Sequence, residues 1–176
     1  MEQNYFALFD IEPVFDINPV QLREMHQTLQ AEYHPDRHVM ADAQQKRISV
    51  QNAATINDAY QTLKEPIKRA RYLLGINGVD LGDENETTSD MVFLMEQIEH
   101  REVLEGCRSH ENPLDACEAL IQKLALRVAD LEKEFVENFD NQQLEKARQV
   151  SRKMQFIERI QSQANELFFE LEDEFI

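Results

Sequence analysis

Basic residues are scarce in this chain. Its 176 residues hold 18 Lys and Arg against 34 Asp and Glu, a formal net charge of −16. Nucleic-acid phosphates and anionic membrane surfaces attract Lys and Arg, so neither fits as a partner. The acid excess favours solubility and partners that are basic or that read carboxylates. Cysteine is nearly absent. Cys107 and Cys117 are too few for a zinc knuckle, and their spacing is wrong for a redox pair. They are expected to act as small, buried apolar residues, and a reducing compartment fits that use. No apolar run approaches the roughly 20 residues that a membrane helix needs. The first ten residues carry Glu2 and Asp10 and no basic start, so no signal peptide is expected. Glycine (four) and proline (five) are sparse, and strict apolar–polar alternation is rare. These shortages point to an all-α fold. A chain of this length forms one domain or two small ones. It can bury roughly 70% of its unfolded surface, so it needs no disulfide or metal to fold.

What is present is ordered by its prolines. Tyr5, Phe6, Leu8 and Phe9 make a short apolar opening, one or two helical turns. Asn18-Pro19 starts the next helix, because asparagine accepts from free first-turn amides and proline is tolerated at the first helical position. Leu22, Met25, Leu29 and Tyr33, at spacings of three and four, form one face of that helix. Pro35 ends it near Tyr33, since its ring pushes His34 out of the α region. His34-Pro35-Asp36 then reads as a stiff, exposed turn. Asp36 is placed there to accept a forked pair of bonds from a partner's arginine. A long helix follows from about residue 41 to 64, with Ile48, Ile56, Ala59, Tyr60 and Leu63 as its buried stripe. Pro66 opens a short basic helix over residues 67–74.

Gly75, Gly78 and Gly82, with Asp80, Asp83 and Glu84, form a glycine-rich acidic connector, and the domain boundary is expected there. Charge divides at the same place. Residues 1–75 carry eight basic and ten acidic residues, and residues 76–176 carry ten and twenty-four. The second part reads as a three-helix bundle. Its first helix is expected over residues 89–104. The second opens at Asn112-Pro113 and buries Leu114, Cys117, Leu120, Ile121, Leu124, Val128, Leu131 and Phe135. The third is expected to open near Asp140, whose carboxylate caps while Gln143 reaches back. It continues through Leu144, Ala147, Val150, Met154, Ile157, Ile160, Ala164, Leu167 and Leu171 to Phe175. Short connections favour antiparallel neighbours. Met91, Val92, Phe93, Leu94 and Met95 are consecutive, and a helix turns about 100° per residue, so they cannot all face one core. With Phe93 inward, Leu94, Met95 and Ile98 share an outward strip beside Glu99 and Glu102, and Phe156 lies off the stripe of its own helix. An apolar strip with an acidic rim is a docking surface.

Residues 56–72, from Ile56-Asn57-Asp58-Ala59-Tyr60 to Ala70-Arg71-Tyr72, resemble the third helix and tail of a J-domain. They follow His34-Pro35-Asp36 at the expected distance, and Asn4-Tyr5-Phe6-Ala7-Leu8-Phe9 is similar to the J-domain start. Phe93-Leu94-Met95-Glu96-Gln97-Ile98-Glu99-His100-Arg101-Glu102 is similar to the signature of the HscB family, and the resemblance then covers nearly the whole chain. It implies a J-domain over residues 1–75, a connector over 76–87 and a scaffold-binding three-helix bundle over 88–176. It implies a bacterial, cytoplasmic co-chaperone that is not an enzyme and carries no metal or cofactor. The partners implied are an IscU-type iron–sulfur scaffold protein, bound by Leu94, Met95, Ile98, Glu99, Glu102 and Phe156, and an HscA-type heat-shock ATPase. That ATPase would meet His34, Pro35, Asp36, Arg37 and Arg23. Two features depart from the pattern. Gln27, Gln30 and Glu32 stand where J-domains often carry basic residues, which suits a dedicated ATPase better than a general DnaK-type one. His100 stands where the signature is commonly apolar, and is expected to line the bundle.

Two other functions compete. An enzyme or metal carrier could use His26, His34, Asp36 and His38, but Pro35 breaks the helix that would put His34 and His38 on one face. A structural coiled-coil adaptor fits the last two helices and leaves residues 31–72 unexplained.

Overall fold

The structure, a computed structural model, describes residues 4–33, 43–82 and 90–174, without the side chains of residues 43, 45 and 46. His34, Pro35, Asp36, Arg37, His38, residues 83–87 of the connector and Phe175 lie outside the described residues. All regular structure among the described residues is helical, which is the fold class read from the sequence. The chain divides into two compact units, Met1–Gly78 and Val79–Ile176.

The first unit contains α1 (Tyr5–Leu8), α2 (Pro19–Glu32), α3 (Ala43–Lys64) and α4 (Pro66–Ile76). Side-chain caps set two of the starts. Asn4 Oδ1 accepts from Phe6 N at 3.0 Å, and Asn18 Oδ1 accepts from Val20 N at 3.0 Å, with Pro19 in the first turn. α2 ends at Glu32, where Tyr33 N still donates to Leu29 O. α2 and α3 run antiparallel: His26 stacks on Tyr60 at 3.9 Å, while Gln30, one turn later, donates to Asn57, one turn earlier. Asn57 Oδ1 also lies 3.0 Å from His26 Nε2. Phe6, Phe9, Leu22, Ile56, Ala59, Leu63, Leu73 and Leu74 fill the core. Ile48 does not join it, being 49% exposed, while Ser49 is buried. Eight residues rotate a helix by 80° beyond whole turns and seven by only −20°, so Ser49, not Ile48, lines up with Ile56.

Arg69 on α4 is buried, and its guanidinium donates to Leu63 O at 2.6 Å and lies 4.7 Å over the Phe15 ring. It satisfies a carbonyl in the last turn of α3, where a cation also complements the helix dipole. At the end of α4, Asn77 Nδ2 donates to Leu73 O at 2.8 Å, and Gly78 takes φ +77°, a region open to glycine.

The second unit is a bundle of α5 (Met91–Cys107), α6 (Pro113–Asp140) and α7 (Leu144–Glu174). Asp90 caps α5 through Phe93 N at 3.0 Å, and burial of Cys107 carries the helix three residues past the expected end. α6 starts with Pro113 in its first turn as expected, but the Asn112 side chain makes no cap bond; Asn112 N instead donates to His110 Nδ1 at 3.2 Å. The expected cap at Asp140 is also corrected. Phe135 and Phe139 stack with centroids 5.7 Å apart and are both buried, so the apolar stripe carries α6 through Asp140. The chain then reverses through Asn141, Gln142 and Gln143, with Gln142 at φ +58°.

Leu124, Leu131, Phe135, Met154, Ile157 and Ile160 are almost fully enclosed between α6 and α7. α5 runs antiparallel to α6, since Glu96 pairs with Arg127 and Glu99 with Lys123. It runs parallel to α7, since Asp90 pairs with Lys153 and Arg108 with Glu170 and Glu174. No described helix is long and apolar enough to cross a membrane.

Candidate docking site

α5 presents two faces of opposite character. Phe93, His100 and Cys107, seven residues apart, are buried at 3%, 2% and 2% exposure. Met91, Val92, Met95 and Ile98 are 69%, 78%, 69% and 57% exposed. An open groove follows that outer face, lined by Val92, Met95, Glu96, Ile98, Glu99 and Glu102. Four large apolar side chains within two turns form a patch rather than isolated exposure.

The inner face is held from both neighbours. The Asp90 carboxylate accepts from Lys153 at 2.7 Å, and this bond, with that from Phe93 N, holds its pKa below the usual range. Lys153 Nζ also sits 5.4 Å from the Phe93 ring centroid. Phe93 meets Phe156 edge to face at 5.7 Å, and the Arg101 guanidinium lies 5.7 Å from the Phe156 centroid. On the other side Arg127 holds Glu96 through Nε at 2.6 Å and Nη2 at 3.0 Å. That fork raises the arginine pKa further. His100 is enclosed beside it, with Nε2 3.6 Å from Glu96 Oε1 and no hydrogen-bond partner on either ring nitrogen.

The six residues expected to form one strip are therefore distributed. Met95, Ile98 and Glu102 form its crest, and Glu102 has no ion pair among the described residues. Glu99 lies on the α6 side, where Lys123 binds it at 2.7 Å and lowers its pKa, so it is not a free rim charge. Leu94 lies on the α7 side, half-buried. Phe156 is half-buried against Phe93 and does not line the groove. Sequence reasoning left Met91 and Val92 out of the site, although the same consecutive apolar run forces them outward. It had no signal for the Glu96–Arg127 fork, because the partners are 31 residues apart.

In the first unit, Arg23 is exposed on α2. The His26, Gln30, Asn57 and Tyr60 cluster pins α2 to α3. No group of three or more His, Cys, Asp or Glu able to hold a metal occurs among the described residues.

The comparisons with known proteins agree with one another. The family model of the HscB C-terminal oligomerisation domain matches residues 89–165. A co-chaperone protein HscB homolog from Shewanella loihica is 37% identical over 163 residues, covering 91% of this chain and 94% of the relative. The chain belongs to the HscB co-chaperone family. The solved structure of chaperone HscB from Vibrio cholerae superposes with a TM-score of 0.85 at 32% identity, over 99% of this chain and 100% of that one. The human co-chaperone HscB gives 0.86 at 25% identity, over 93% and 81%. The all-helical HscB fold is thus that of this chain.

Proposed function

We propose that this HscB-family chain is a non-enzymatic co-chaperone of iron–sulfur cluster assembly. Residues 88–176 bind an IscU-type scaffold protein. Residues 1–75 act as a J-domain on an HscA-type ATPase, with 76–87 as the connector. His34, Pro35 and Asp36, with Arg37 and Arg23 nearby, contact the ATPase and stimulate ATP hydrolysis. Binding to both partners delivers the scaffold to the ATPase. A bacterial cytoplasm is the compartment that suits a buried, unpaired dithiol and a dedicated partner.

The observation that carries this reading is the exposed crest of α5. Met91, Val92, Met95 and Ile98 are open while Phe93 and His100 on the same helix are enclosed. Burying such a crest under a partner removes apolar surface from water, at roughly 25 cal/mol per Å² before the costs of association. The rim carboxylate of Glu102 would meet a basic partner group and set orientation more than affinity.

Calorimetric titration of purified IscU-type scaffold into the full chain tests it. Wild type is expected to bind, and Met95→Asp is expected to abolish binding with an unchanged circular-dichroism spectrum. Equal binding by wild type and Met95→Asp would remove the crest from the interface.

A further inference from the structure

Two of the chain's six methionines stand on the outer face of α5. Met91 and Met95 are each 69% exposed. Four residues apart, they lie about 40° from each other around the helix and about 6 Å along it, so both belong to one crest. Met154 is the opposite case, 0% exposed between α6 and α7. Met25 is half-buried on α2.

Thioether chemistry makes that difference matter. A methionine sulfur attacks peroxide without first losing a proton. The departing oxygen gains negative charge in the transition state and must be solvated or protonated. Water does this at an exposed sulfur, whereas an enclosed one lacks both the peroxide and the water. The product is a polar sulfoxide in place of an apolar side chain. On this face the new oxygen meets unsuitable neighbours. The polar residues lining the groove are Glu96, Glu99 and Glu102, and carboxylates only accept hydrogen bonds. The sulfoxide oxygen is an acceptor too. Covered by a partner, it would lose its water and find no donor among the groove's own side chains, which is costly.

We propose that Met91 and Met95 form a reversible sulfoxidation site, at which hydrogen peroxide turns the apolar crest of α5 polar and weakens docking there. The lone pair of each sulfur attacks one peroxide oxygen. The S–O bond forms and the O–O bond breaks. The departing hydroxide takes the proton from the transferred oxygen and leaves as water. Sulfur loses two electrons, and each peroxide is reduced to one water beside the sulfoxide. A dithiol-dependent sulfoxide reductase reverses the step: two thiols become a disulfide, and the oxygen leaves as water. The loss of docking rests on the scaffold reading of the crest; the oxidation and its reversal do not.

The test treats the full chain with hydrogen peroxide at a dose that oxidises free N-acetylmethionine, quenches it with catalase and maps tryptic peptides by mass. Residues 72–101 form one peptide holding both crest methionines, and residues 154–159 form another holding Met154. The crest peptide is expected to gain one oxygen on Met91 and one on Met95, while Met154 gains none. Circular dichroism and melting should not move, since neither crest sulfur serves the core. Sulfoxide reductases for both epimers, with dithiothreitol, should remove both oxygens from the folded protein. Calorimetric titration with purified IscU-type scaffold should show binding weakened about tenfold or more after peroxide, and restored by the reductases. The double variant Met91→Leu, Met95→Leu has no oxidisable sulfur on the crest. Whatever its starting affinity, peroxide should not change it. Four outcomes would overturn the proposal: crest methionines left intact, oxidation shared equally by Met154, resistance to both reductases, or equal loss of binding by the double variant. Undiminished scaffold binding by the oxidised wild type would overturn it as well. Failure of the untreated chain to bind scaffold would instead remove the docking reading, and with it the loss of docking, while the peptide map still decides the oxidation.

Discussion

Arg127 grips Glu96 with two nitrogens, at 2.6 and 3.0 Å, and the residue before Glu96 is Met95 at the crest of α5. The side chains of the pair are 32% and 23% exposed, so water screens it only in part. The fork fixes the rotation of α5 about its own axis, and that rotation decides which apolar side chains face outward.

Arg127→Met and Glu96→Gln should each destabilise the bundle, by about 1–2 kcal/mol. Thermal melts of both single variants and the double variant form a cycle. Their effects should be non-additive by about 1 kcal/mol. Additive losses would show that the two side chains act separately and that the fork does not hold the helix.

Met95→Ala and Ile98→Ala should each weaken scaffold binding by about 1–3 kcal/mol and leave the melting temperature nearly unchanged. Phe156→Ala should do the reverse. Its ring is half-buried on Phe93, so its loss should cost about 2 kcal/mol of stability through lost packing. Calorimetry and melting on the same preparations separate the two effects. A melting loss for Met95→Ala matching its binding loss would make it a structural residue.

His34→Gln or Asp36→Asn should abolish stimulation of the ATPase and spare scaffold binding. Removing one member of a desolvated, hydrogen-bonded charge pair costs about 2–5 kcal/mol, a factor of roughly 30 or more. A steady-state ATPase assay reads this directly. Full stimulation by either variant would refute the role assigned to the turn.

The Asp90 carboxyl is held below its ordinary value of 3.8 by Lys153 and Phe93 N. A carboxyl depressed in the folded state stabilises above its unfolded pKa and loses that contribution as pH falls through the folded value. Asp90→Asn keeps a capping side chain but loses the ion pair, so it should melt below wild type at pH 6. The difference should close as pH drops below 3.8. A gap that persists into strong acid would point to a cause other than charge.

Sequence legibility followed the range of each interaction. Helix starts at Asn18-Pro19 and Pro66 were readable because proline geometry acts within one turn. The start at Asn112-Pro113 was readable for its proline alone, since His110 takes over the local bonding. Asp140 misled because a capping residue followed by an apolar stripe looks the same inside a long helix as at its start. The stacked Phe135 and Phe139 settle the matter only in three dimensions. Ile48 failed as a core residue for a phase error of one position. At the site, the run from 91 to 95 revealed that a surface exists. Its two shoulders depend on Lys123, Arg127 and Phe156, which lie 24 to 63 residues away from their partners.

The helices of the second unit are fastened by different means. α6 and α7 share an apolar seam, whereas α5 is tied at its start, middle and end by Lys153, Arg127, Lys123 and Arg108. Ionic strength acts on these two fastenings unequally, because the screening length shrinks from about 8 Å in physiological salt to about 3 Å at 1 M. Amide hydrogen exchange should therefore quicken along α5 as salt rises, while α6 and α7 hold their protection. The helix with the exposed apolar crest is also the one whose grip on the bundle the surrounding electrolyte can loosen.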